Sequence, residues 1–78
     1  MRVGVYARTD SGVVRDVSYT LEGGRAVPDK PDAQAHRNLV SLGVRYRGRR
    51  YFPADGKDFL KALVEMMRGS YMWAKEEK

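Results

Sequence analysis

Val3, Val5 and Ala7 alternate with Arg2, Gly4, Tyr6 and Arg8, the period of two that marks a strand with one buried face. Thr9-Asp10-Ser11-Gly12 follows. Asp and Ser side chains bond their own backbone and Gly accepts positive φ, so the chain turns back here. A second alternation sets Val13, Arg15, Val17, Tyr19 and Leu21 on one face and Val14, Asp16, Ser18 and Thr20 on the other. Gly23-Gly24 permits a tight turn into a short strand over residues 25–27. The first third of the chain is therefore expected to form an antiparallel meander.

The period then changes. After Pro28-Asp29-Lys30-Pro31-Asp32, the apolar positions Ala35, Leu39 and Leu42, with Val40 beside them, recur at helical spacing. Asp29 is placed to cap the free amides, Pro31 suits a first turn, and Asp32 faces the positive end of the dipole. Gly43 is the stop, and a helix over about 31–42 is expected. Phe59, Leu60, Leu63, Val64 and Met67 make a second and clearer stripe. Asp55 and Asp58 read as its start and Gly69-Ser70 as its end, so a helix over about 56–68 is expected. Tyr71-Met72-Trp73 and the charged run AKEEK then remain.

Between the helices lies RYRGRRYF, residues 45–52. With Gly48-Arg49 as a two-residue type II′ turn, Arg47 pairs with Arg50, Tyr46 with Tyr51 and Arg45 with Phe52. Tyr46 and Tyr51 then share a face with Val44, and Arg45, Arg47 and Arg50 share the other with Phe52. The expected class is α+β: one small domain, residues 1–78, with an antiparallel sheet of three to five strands and two helices.

Composition narrows the options. The chain has 78 residues and no cysteine, so neither a disulfide nor a thiolate zinc site can reinforce a small core. One histidine, His36, does not make a metal site. Self-association is a common remedy for a core of this size, and a homodimer is expected on that ground. The first ten residues lack the apolar run of a signal peptide, and no stretch approaches the roughly 20 apolar residues of a membrane span. A cytoplasmic protein with no membrane partner is the expectation.

Charge is unevenly placed. The net charge is +5, and residues 45–57, with Arg45, Arg47, Arg49, Arg50 and Lys57 against Asp55, carry +4 of it. Arginines facing one another across a ladder repel, so this register asks for an anion. Phosphate suits the guanidinium fork, and Tyr46 or Tyr51 could stack on bases. Nucleic acid is thus one expected partner. The competing readings are an acidic protein, a solvated edge kept basic against aggregation, or arginines tied to Asp55, Asp58, Glu65, Glu76 or Glu77 of the same chain.

No constellation supports catalysis. His36 would need an orienting acid and a nearby nucleophile, and no local signature ties any of Ser11, Ser18, Ser41 or Ser70 to it. Asp55 and Asp58 are explained as helix caps, and Gly23-Gly24-Arg25 lacks the rest of a phosphate loop. A non-enzymatic binding or adaptor protein without cofactor or metal is expected. Met66, Tyr71, Met72 and Trp73 form the rival working surface, for another protein or a second copy of the chain.

Overall fold

In the computed structural model, residues 1–23, 25–30, 32–52 and 58–77 are described. The elements are β1 (Arg2–Thr9), β2 (Gly12–Glu22), β3 (Arg25–Pro28), α1 (Gln34–Ser41), β4 (Arg45–Arg47), β5 (Arg50–Phe52), α2 (Phe59–Arg68) and β6 (Met72–Glu77). The fold is α+β. Among the described residues six strands form one sheet in the order β4-β5-β3-β2-β1-β6, and every pairing is antiparallel.

The strand count exceeds the three to five expected because of β6. Its sequence, MWAKEE, is half charged and carries no alternating apolar signal. It is a strand because β1 offers a free edge, and six consecutive pairs from Arg2↔Glu77 to Ala7↔Met72 fill it. Backbone pairing overrides composition here.

Both helices pack on one face of the sheet. Val3, Val5, Val17, Tyr19, Ala26, Tyr51 and Met72 from the strands meet Ala35, Leu39, Phe59, Leu63 and Met66 from the helices in one cluster. The Tyr19 ring meets Phe59 edge-on at 4.7 Å and Tyr51 at 5.6 Å. Each fully buried large side chain of this kind stabilises by about 1.5–3 kcal/mol relative to exposure. Among the described residues no helix is long and apolar enough to cross a membrane.

Three local expectations need correction. The even alternation of β2 breaks at Asp16: Val5 pairs with Val17 but Tyr6 with Arg15, leaving Asp16 in a bulge. Arg15 therefore joins Tyr6 on the face away from the helices, while Asp16 turns toward them. Asp16, and not Asp29, then serves the start of α1, accepting from Gln34 N–H at 3.1 Å and Ala35 N–H at 2.9 Å. Asp29 is held by Arg15 and Ser18. Finally, the β4–β5 register is as expected, Arg45↔Phe52, Tyr46↔Tyr51 and Arg47↔Arg50, but the turn is type I′. Gly48 and Arg49 both have positive φ, 59° and 63°, which is the handedness that matches the twist of the flanking strands.

Asp58 caps α2, accepting from Lys61 N–H at 2.9 Å. The expected roles of Pro31, Asp55 and Lys57 lie outside the described residues. Helix α1 begins at Gln34, later than the expected start near residue 31.

Candidate functional site

The face of the sheet away from the helices carries the side chains that neither helix covers. From one edge to the other, register places Arg45 and Arg47 on β4, Arg50 and Phe52 on β5, and Arg25 and Val27 on β3. Arg15, Ser18, Thr20 and Glu22 follow on β2, then Arg2, Gly4, Tyr6 and Arg8 on β1, then Trp73, Lys75 and Glu77 on β6. With Asp29, beside Arg15 and Arg2, this face holds eight basic side chains and three carboxylates among the described residues. The basic hairpin is one end of a larger positive surface.

Aromatic rings interrupt the charge in two places. Tyr6 and Trp73, directly paired across β1 and β6, stack with centroids 6.1 Å apart and planes 24° from parallel. At the other end the Arg25 guanidinium lies 5.3 Å from the centre of the Phe52 ring, a cation–π contact. A hollow lined by Thr20, Glu22, Gly23, Arg25, Val27 and Arg50 opens beside it. All three rings are half-buried, each keeping part of its surface toward solvent.

Between these ends lies a polar network. Arg15 Nη1 donates to Asp29 Oδ2 at 2.8 Å and also to Ser18 Oγ, and Ser18 Oγ donates to Glu77 Oε1. Ser18 N–H donates to Asp29 Oδ1 at 3.0 Å. That backbone bond, ahead of the Arg15 and Arg2 guanidiniums, holds the Asp29 carboxyl below its ordinary pKa against the opposing effect of burial. The hydrogen bond that Arg15 donates to Asp29 in turn raises the pKa of its guanidinium.

No protein-family model, curated protein or solved structure matches this chain.

The arginines named from the sequence are where the register put them. Arg45, Arg47, Arg49 and Arg50 are all exposed, Arg49 at the turn tip and the others on the open face. Among the described residues none of the four has an ion-pair partner; the two ion pairs are Arg2–Asp29 and Arg15–Asp29. Asp58 is occupied at its helix, and Glu77 with Ser18.

The two tyrosines of the hairpin are not on that face. Tyr51 is 1% exposed and shares a 2.6 Å hydrogen bond with His36 Nδ1, and burial, reinforced by the neighbouring Tyr46, pushes its phenol up to about 12. Tyr46 is half-buried on the helix side, 5.0 Å from the His36 ring. Core packing thus removes Tyr51 as a stacking surface and turns Tyr46 away from the arginines.

The C-terminal group also divides. Met66 and Met72 are 3% and 2% exposed and belong to the core, because α2 packs on the sheet with Met66 inward and Met72 pairs with Ala7 on the helix-covered face of β6. Tyr71 is exposed and Trp73 lies on the open face. Sequence reading missed Tyr6, Phe52 and Trp73 as a set. Their alternation with buried neighbours was visible, but which face the helices would leave open was not.

Proposed function

We propose that this chain is a small non-enzymatic binding domain that holds single-stranded nucleic acid on the open face of its sheet. The observation that carries the reading is the segregation on that uncovered face of eight basic side chains with exposed portions of Tyr6, Trp73 and Phe52. Arginine forks match phosphate oxygens bidentately, and aromatic rings on a flat sheet offer stacking surfaces that a base can reach only when unpaired.

Arg45, Arg47 and Arg50 meet the backbone at one end, Arg25 sets a cation beside Phe52, and Tyr6 with Trp73 receives a base at the other end. Six strands spaced about 4.8 Å apart make a face roughly 24 Å across, room for a short single-stranded segment. Four phosphate contacts give a slope of about −3 in log affinity against log salt for a single strand.

Titration of labelled single-stranded RNA, single-stranded DNA and duplex DNA at two salt concentrations tests this. Wild type binds single strands more tightly than duplex, with strong salt dependence, and Arg47→Glu/Arg50→Glu loses most of the affinity. Absent binding, or binding untouched by the double substitution, removes the reading.

The rival reading is a homodimer or protein-interaction module. It rests on Tyr71, 62% exposed, and on the backbone edge of β6, which has a strand on one side alone. An edge of this kind can pair with a second copy. Light scattering of wild type and Tyr71→Ala decides it, and monomers in both cases sink the dimer.

A further inference from the structure

Glu77 occupies an unusual place for a charged residue near the end of an edge strand. Its carboxylate lies across β1 at Gly4, and Oε1 accepts the Ser18 hydroxyl hydrogen on the far side. A Cβ at Gly4 would come within 2.9 Å of Glu77 Cδ and 3.0 Å of Tyr6 Cε2. Only glycine leaves the sheet low enough at this point for the carboxylate to pass.

The groups under that carboxylate form a seat for an oxyanion. Ser18 is 1% exposed, and its hydroxyl is aimed at the carboxylate by the Arg15 guanidinium donating to Oγ from behind. Arg2 is the cross-strand neighbour of Glu77 on the same face. The Glu77 carboxylate is thus held by a polarised hydroxyl, beside two guanidiniums that both also meet Asp29, at 2.8 Å from Arg15 and 3.9 Å from Arg2.

We propose that Ser18, Arg15 and the gap over Gly4 form a phosphate-binding site that Glu77 fills in the free protein, and that a phosphate group of the ligand displaces the Glu77 carboxylate. For its biological ligand this rests on the nucleic-acid reading above, where the group is a phosphodiester; the seat itself is open to inorganic phosphate. A phosphodiester carries the same single charge as the carboxylate whose place it takes, and rotation of the Glu77 side chain moves that carboxylate aside without unpairing β6.

The test compares wild type, Glu77→Ala, Glu77→Gln, Glu76→Gln and Glu77→Ala/Ser18→Ala. Glu76 leaves the same strand on its other face, opposite Val3, so its substitution makes the same change in net charge away from the seat. Inorganic phosphate is titrated at constant ionic strength, following the amide resonances of Gly4 and Ser18, and a labelled single strand is titrated in parallel. Both Glu77 variants bind phosphate about fivefold or more tightly than wild type and Glu76→Gln, with the shifts centred on Gly4 and Ser18. Adding Ser18→Ala abolishes the gain. If Glu77→Ala does not fold by circular dichroism, Glu77→Gln carries the same expectation. Equal phosphate affinity in all variants, or an equal gain in Glu76→Gln, overturns the seat while leaving oligonucleotide binding to stand. A phosphate gain without oligonucleotide binding in any variant keeps the seat and removes the nucleic-acid reading.

Discussion

Asp16 Oδ2 accepts the backbone N–H of Ala35 at 2.9 Å while its Oδ1 accepts that of Gln34 at 3.1 Å. A residue squeezed out of register in β2 thus serves two of the free amides at the start of α1, whose own N-cap position, Ala33, has no side chain able to do so. The bulge does two jobs. It turns Arg15 onto the open face and aims Asp16 at the helix.

Asp16→Ala is expected to destabilise the fold by about 1–2 kcal/mol, the usual effect of deleting a helix cap. Urea denaturation reads it as a lower midpoint at unchanged slope. Asp16→Asn keeps one acceptor and is expected to lose less than half as much. Equal losses in the two variants would show that charge rather than hydrogen bonding holds the helix.

Asp29 makes stability depend on acid. Its folded-state pKa lies below the ordinary value, chiefly through the Ser18 N–H, with Arg15 and Arg2 adding to it. A depressed pKa contributes stability that is present above the unfolded value near 4 and is lost as pH falls through the folded value. Wild type is therefore expected to lose more stability than Asp29→Asn between pH 5 and roughly pH 2, measured by urea midpoints across that range. A parallel loss in both proteins would contradict the assignment.

How much of this was legible in the sequence follows from the kind of signal each feature leaves. Val3, Val5 and Ala7, and Phe59 through Met67, announce their elements because burial imposes a period on the residues themselves. The hairpin register followed from Gly48 alone, since a two-residue loop fixes every pair beyond it. Lys75, Glu76 and Glu77 hid β6, because an edge strand on a partly solvated sheet needs no apolar residue at those positions. The bulge at Asp16 was invisible for a different reason: Val13, Arg15 and Val17 alternate evenly in sequence, and only the pairing with β1 reveals the slip. The open face depends on that slip and on which side the helices choose, both of them tertiary outcomes. The four arginines could be located in advance, and their company with Tyr6, Trp73 and Ser18 could not.

Arg49 holds φ at 63°, in the left-handed region that disfavours residues with a Cβ by about 1 kcal/mol and that Asn tolerates best among them. Arg49→Asn is expected to stabilise the hairpin relative to Arg49→Gln by about 0.5–1 kcal/mol. Both variants remove the same charge, so the difference isolates the backbone. Thermal midpoints differing by a few degrees would report it. Gln equal to or better than Asn would contradict a type I′ turn.

Tyr19 and Tyr51 sit edge to face at 5.6 Å, both buried, yet their hydroxyls differ. Tyr51 shares a hydrogen bond with His36, whereas the Tyr19 hydroxyl has no hydrogen-bond partner among the described residues. A buried hydroxyl without a partner costs about 1–3 kcal/mol, and removing it with its shape preserved recovers part of that cost. Tyr19→Phe is therefore expected to be neutral or stabilising at pH 7. Tyr51→Phe strands His36 Nδ1 and is expected to destabilise by about 1 kcal/mol. Alkali separates them again. Burial raises both phenols, Tyr51 to about 12 from 10, so the neutral forms stabilise the fold fully below pH 10. That contribution is lost as pH rises through 10 and on toward 12. Phenolate absorbance should show these two rings ionising together with unfolding, and each Phe variant should remove one ring from that cooperative phase and move it to higher pH. If Tyr19→Phe destabilises as much as Tyr51→Phe, the Tyr19 hydroxyl has a partner after all, and the aromatic core is held by a hydrogen-bond chain rather than by ring packing.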